Sequence, residues 1–142
     1  MACYGCDKVA FSGSLAASQT VLQGATINFT KNLSIGCTYT DSSITLRKPG
    51  LYRVSCNASG ATTGTDAANV TIALERNGEE VGKVQSSATS SSSTAYVDVS
   101  LEAIVKVDAT CCPLNDNSAT LTFVNTGAAA TFSHMTVTVT RI

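Results

Sequence analysis

The chain is 142 residues long, the size of a single domain with a proper core. Its formal net charge of -1, with 13% charged residues, offers no electrostatic footprint for nucleic acid or an anionic membrane surface. No apolar run is long enough to cross a bilayer, and MACYGCDKVAF lacks the basic-then-apolar pattern of a signal peptide, so synthesis in the cytoplasm without membrane insertion is expected.

Serine and threonine make up about a quarter of the chain, and threonine with valine suits a pleated surface. Residues 1–7 read as a leader and 8–142 as the domain. The first strand is expected at 8–12, with Val9 and Phe11 on one face. The small polar run 14–18 reads as a loop. Residues 20–29 alternate imperfectly around Gly24, as two short strands or one bent strand. Another strand is expected over 32–39, with Leu33, Ile35 and Cys37 in phase. Ile44-Thr45-Leu46 follows and closes at Lys48-Pro49-Gly50, a turn signal because proline presets φ and glycine accepts the angles that follow.

Beyond that turn, Tyr52, Val54, Cys56 and Ala58 share one parity and should face a core, with Arg53, Ser55 and Asn57 turned away. Val70 to Arg76 repeats the alternation and stops at Asn77-Gly78, a strong short hairpin signal; Val81 and Val84 begin the return. These strands are expected to be antiparallel neighbours. The loop 61–68 and the low-complexity run ATSSSS at 88–93 are the expected exposed tips. Residues 94–107 alternate through Ala95, Val97, Val99 and Leu101, then Ile104, Val105 and Val107 after a phase slip near Glu102-Ala103 that predicts a bulge. Ala119, Leu121 and Phe123 form the next strand, ended by Asn125-Thr126-Gly127, and 132–142 the last. Nine or ten short antiparallel strands with no helix and no fixed repeat predict a sandwich or barrel.

The order VAFSG, ITLRKPGLYRVS, VTIALERNGEEV, a long strand ending VKVDA, SATLTFVNTG and TFSHMTVTVTRI resembles the tumour-necrosis-factor-like superfamily. It is most similar to the globular heads of complement-type collagen-tailed proteins and their bacterial and phage relatives, such as the C-terminal domain of spore-surface collagen-like glycoproteins. The resemblance runs from Lys8 onward and is most specific at Gly50 and Tyr52 leading a core strand and at Asn77 and Gly78 in the hairpin. Val107 stands where the family has a glycine before the aspartate. The resemblance implies an all-β, ten-strand antiparallel jelly-roll sandwich that assembles as a homotrimer through one sheet. The strands starting at Lys8, Gly50, Thr94 and Phe132 would supply that interface, with Phe11, Tyr96 and Phe132 as aromatic candidates that serve equally well as monomer core.

Chemistry is sparse. His134 is the single histidine, mid-strand, with no serine elbow or acidic motif around it, so no enzyme is expected. One histidine cannot build the converging metal site of a cupin-type jelly roll. No glycine-rich phosphate loop is present, no cofactor is implied, and Asp66, Asp108 and Asp116 lack a calcium-loop spacing. Four glycosylation sequons, at Asn28, Asn32, Asn57 and Asn69, are what a chain so rich in serine and threonine produces by chance. Cys37 and Cys56 alternate with strand residues and are expected in the core. In the family's strand order, Cys3, Cys6, Cys111 and Cys112 fall at one end of the sandwich, where they form disulfides, interchain staples or a zinc site, or remain free thiols. The expected function is a homotrimeric structural or adhesive knob on a phage particle or a cell or spore surface, meeting a receptor, glycan or neighbouring subunit. The alternatives are a secreted signalling ligand and a capsid or decoration protein.

Overall fold

The computed structural model describes residues 8–109 and 117–142, without the side chains of Gly82 and Lys83. Among them, eleven strands follow in order: β1 (Ala10–Ser14), β2 (Gln19–Val21), β3 (Thr30–Ile35), β4 (Thr38–Thr40), β5 (Ser43–Leu46), β6 (Gly50–Thr62), β7 (Ala68–Arg76), β8 (Glu79–Ser90), β9 (Val97–Val107), β10 (Ala119–Asn125) and β11 (Ala130–Arg141). An isolated antiparallel bridge between Thr26 and Val124 brings the count to twelve, where ten were expected. One sheet has the order β3-β1-β11-β6-β9, with β2 also on β11; the other has the order β4-β5-β10-β7-β8. Every pairing is antiparallel, and the two sheets close over one core as a jelly-roll sandwich.

The alternation of β6 holds as expected: Tyr52, Val54, Cys56 and Ala58 are buried, and Arg53 and Asn57 are exposed. Gly50 (φ +148°) opens the strand where a side chain would strike Arg141, whose guanidinium donates to the Pro49 carbonyl. The Tyr52 hydroxyl donates to the Lys48 carbonyl, so the turn is tied from both sides. Asn77 (φ 52°) and Gly78 (φ 85°) form the two-residue β7–β8 turn with Arg76 opposite Glu79.

Phe11, Phe29, Tyr39 and Phe123 join the sheets through ring contacts at 5.7–6.0 Å between centroids.

Several expectations need correction. β7 and β8 are antiparallel neighbours, but β6 lies in the opposite sheet from both, because the chain crosses the sandwich between Thr62 and Ala68. The strand expected over 32–39 is two strands in different sheets: Gly36 (φ +72°) turns the chain, returning Cys37 towards the core and leaving Leu33 and Ile35 on the outer side opposite Ser12 and Ala10.

β9 carries no bulge. Its pairing with β6 runs without a shift from Gly50↔Val107 to Gly60↔Val97, Ala103 keeps the inward phase, and Ile104 points out at 61% exposure. The real register shifts lie at Ser12/Gly13, Ala73/Glu75 and Phe132/His134. Ala88 to Ser90 belong to β8 rather than to a loop, and Ser90 is fully buried. Ala61 and Thr62 likewise are buried strand residues, leaving residues 63–67 as the exposed tip.

Candidate assembly and binding surfaces

The strands expected to supply an interface are β1, β6, β9 and β11, and they stand side by side in the six-stranded sheet. Strand parity decides what they show outward. Because Phe11, Tyr52, Val105 and Val139 point in, the outer face carries Ala10, Leu51, Arg53, Ile104 and Thr140. Register aligns these into rows across the sheet. One row runs Ile35–Ala10–Thr140–Arg53–Ile104, and the next runs Leu33–Ser12–Thr138–Ser55–Glu102. Apart from Arg53 the inner positions of both rows are short side chains, and the row ends are Ile35 and Ile104 in the first, Leu33 and Glu102 in the second. Ile142 extends the patch, donating its backbone N–H to the Leu51 carbonyl at 2.8 Å.

Among the described residues, two ion pairs lie on this face. Arg53 Nε lies 3.3 Å from Glu102 Oε1, and Lys106 Nζ lies 3.2 Å from Asp108 Oδ1, both pairs in solvent.

Phe11 and Phe132 do not reach this face. They are 2% and 0% exposed, inside the sandwich, because their parity is that of the core. Tyr96 alone of the three aromatic candidates keeps surface, 47% exposed just ahead of β9. Sequence reasoning passed over Leu51, Ile104 and Ile142 as surface residues. The signal that finds two of them is parity opposite to Tyr52 and to Leu101.

Further along the same face a shallow groove is lined by Asn57, Ser59, Asp98, Ser100, His134 and Thr136. Pairing places His134 opposite Ser59 and Ser59 opposite Asp98, beside the register shift that follows Phe132. His134 is exposed, with Nδ1 3.1 Å from Ser133 Oγ, a hydroxyl that is its own neighbour in sequence.

Of the two thiols described, Cys56 is buried and Cys37 half-buried against the core. Burial pushes the Cys56 thiol up to about 12. Tyr52 is raised too, chiefly by burial, with the Arg141 charge opposing. Both shifts keep the groups neutral. Among the described residues no cluster of histidine, cysteine and carboxylate stands where it could hold a metal.

Cys3, Cys6, Cys111 and Cys112 lie outside the described residues. Their described flanks share one end of the sandwich: Lys8 lines a cleft with Gly50, Arg141 and Ile142, and Val107, just before Asp108, pairs with Gly50. Asn117 returns there, its side-chain amide 3.4 Å from the Asp108 carbonyl.

The opposite end is held by two buried polar residues. Ser90 Oγ accepts the Thr62 N–H at 3.1 Å and lies 2.7 Å from the Ala95 carbonyl, which fixes the exit of β8. Asn125, fully buried, donates to the carbonyls of Val21 and Ala128 and accepts from the Gly127 N–H, each at 3.0 Å. The exposed residues 63–67 and Tyr96 stand on this braced end.

This arrangement defines the fold: an antiparallel jelly-roll sandwich of two sheets, similar to that of tumour-necrosis-factor-like proteins. Solved structures agree on the fold. Murine APRIL has a TM-score of 0.64 at 9% identity, over 95% of this chain and 99% of that one. The globular domain of a zebrafish complement 1qA protein has a TM-score of 0.60 at 13% identity, over 95% and 96%. The vertex protein P5 of PRD1 has a TM-score of 0.51 at 17% identity, over 94% and 96%. No model of a known protein family matches the chain. No curated protein matches it in sequence.

Proposed function

We propose that the chain is a non-enzymatic binding or structural module that assembles as a homotrimer through the outer face of its six-stranded sheet. The observation that carries this reading is the distribution of exposed apolar side chains. Among the described residues, Leu33, Ile35, Leu51, Ile104 and Ile142 belong to that sheet or its end, Leu22 and Tyr96 stand in the connections next to β2 and β9 of the same sheet, and none of the large exposed ones belongs to the five-stranded sheet. Apolar surface concentrated on one face is what association removes from water. The family resemblance adds the three-fold symmetry.

In this reading the module is a knob on a phage particle or a cell or spore surface. The likeness to a vertex protein supports the particle setting. Its residues 63–67 and Tyr96 then meet a receptor, a glycan or a neighbouring subunit. Cys3, Cys6, Cys111 and Cys112 then join the assembly as disulfides or interchain staples, which the described flanks Lys8, Asp108 and Asn117, gathered at the other end of the sandwich, support.

Light scattering with and without reductant tests the assembly. A mass near three chains in both conditions is expected if the apolar face suffices, and loss of that mass only with reductant would assign cohesion to the cysteines. A single-chain mass in both conditions sinks the homotrimer.

A further inference from the structure

Asn77 is the one asparagine in the chain followed by glycine. It sits in an exposed turn with Gly78, around whose α-carbon a side chain would meet nothing. That is the local setting in which a backbone nitrogen can approach an asparagine side chain from open solvent. The structure also holds this side chain away. Its Oδ1 accepts the Thr120 N–H at 2.8 Å, its Nδ2 donates to the Ser118 carbonyl at 3.3 Å, and its own N–H donates to the Thr120 carbonyl at 2.8 Å. The side-chain carbonyl of Asn77 thus takes the Thr120 N–H one step beyond the β10–β7 pairing, whose described end is Leu121↔Arg76.

We propose that Asn77 is a site of spontaneous deamidation, and that its clasp on β10 sets how fast the folded protein undergoes it. In the reaction, the Gly78 nitrogen attacks Cγ of Asn77 and a C–N bond forms. The Cγ–Nδ2 bond breaks, and ammonia leaves with the proton given up by the Gly78 nitrogen. Water then opens the five-membered imide at either carbonyl, giving aspartate or isoaspartate. Ring closure requires Asn77 to leave both its left-handed turn conformation and its bonds to Ser118 and Thr120, so the clasp must open first.

The products would not restore the clasp. Aspartate has no donor for the Ser118 carbonyl and adds a negative charge beside Glu79 and Glu80. Isoaspartate inserts a methylene into the main chain of a two-residue turn, which cannot then keep Arg76 opposite Glu79. Each conversion loosens the hairpin where it meets β10, an ageing lesion written into the fold.

The test holds purified protein at mildly alkaline pH, folded and in concentrated guanidinium, and follows the Asn77 peptide by mass spectrometry with separation of isoaspartate. The expected result is conversion at Asn77 ahead of every other asparagine, at least about tenfold slower in the folded protein than in the unfolded chain. Thr120→Pro, which deletes the N–H held by Oδ1, should raise the folded rate severalfold, with folding checked by circular dichroism. If that variant does not fold, hydrogen exchange at the Thr120 amide replaces it, and mild denaturant should raise exchange and deamidation together. Equal rates in the folded and unfolded chain, or another asparagine converting first in the folded protein, would overturn the proposal.

Discussion

The outer faces of the two sheets differ more than their cores do. On the five-stranded sheet, hydroxyls pair with hydroxyls: Thr45 with Thr120 at 3.2 Å and Thr71 with Ser87 at 2.8 Å. Ala73 and Val124 are buried there, and among the described residues none of the exposed large apolar side chains stands on it. On the six-stranded sheet the centre is similarly small and polar, but the margins carry Leu33, Ile35, Leu51 and Ile104. Both faces have the same strand grammar, so alternation alone does not explain the difference. A face that satisfies its polar groups and hides its apolar ones offers little to association, whereas the leucines and isoleucines of the six-stranded sheet are the apolar surface that the proposed assembly would remove from water.

Charge placed on each face is the sharpest way to break this comparison. Leu33→Arg with Ile104→Arg should reduce the assembled mass to one chain, because two apolar side chains at roughly 1.5–3 kcal/mol each amount to more than a hundredfold in association. Thr45→Arg with Thr122→Arg, on the other face, should leave the mass unchanged. An assembly indifferent to the first pair would place the interface elsewhere.

Phe132→Ala should cost about 3–5 kcal/mol of folding stability by denaturant titration, since the ring is wholly inside the monomer. Tyr96→Ala should cost little stability and act on assembly or binding instead. The reverse pattern would move Phe132 from core to interface.

A smaller loss, about 1–3 kcal/mol, is expected from Ser90→Ala, which leaves the buried Thr62 N–H without its acceptor. Ser92→Ala, at a more open position, should be close to neutral, and a like effect from both would remove Ser90 from the role given to it.

The smallest effect is one of pH. Cys56 in the folded state is raised to about 12, above its unfolded value, so its protonated form is favoured by folding. That contribution is complete below the unfolded pKa and is lost as pH rises from about 9 towards 12. Stability should therefore fall with rising alkalinity, by about 1 kcal/mol near pH 10, and Cys56→Val should flatten the decline. An unchanged slope in the variant would assign the alkaline loss to other groups.

Much of the fold is local and was legible in the residues. Tyr52, Val54, Cys56 and Ala58 declare their burial by period two, Asn77-Gly78 declares a two-residue turn by its tolerance of positive φ, and Pro49-Gly50 declares the entry to β6. These depend on backbone sterics and on alternation, which a few neighbouring residues determine.

What the residues do not declare is which side of a strand faces the core, or which sheet a strand joins. Leu33 and Ile35 have the pattern of core residues yet point outward, because Gly36 turns the chain into the other sheet directly after them. Ile104 reads as core until the pairing with β6 shows Ala103 holding the inward phase. Ser90, in a run of serines that looks like linker, is buried because Thr62 and Ala95 arrive from elsewhere to use its hydroxyl. The sequence by itself determined the all-β class, the alternation of β6 and the turns at Pro49-Gly50 and Asn77-Gly78. Only the tertiary structure decided the candidate surface, because the outer face is set by pairings between residues distant in the chain, and a parity has no direction until a second sheet is packed against it.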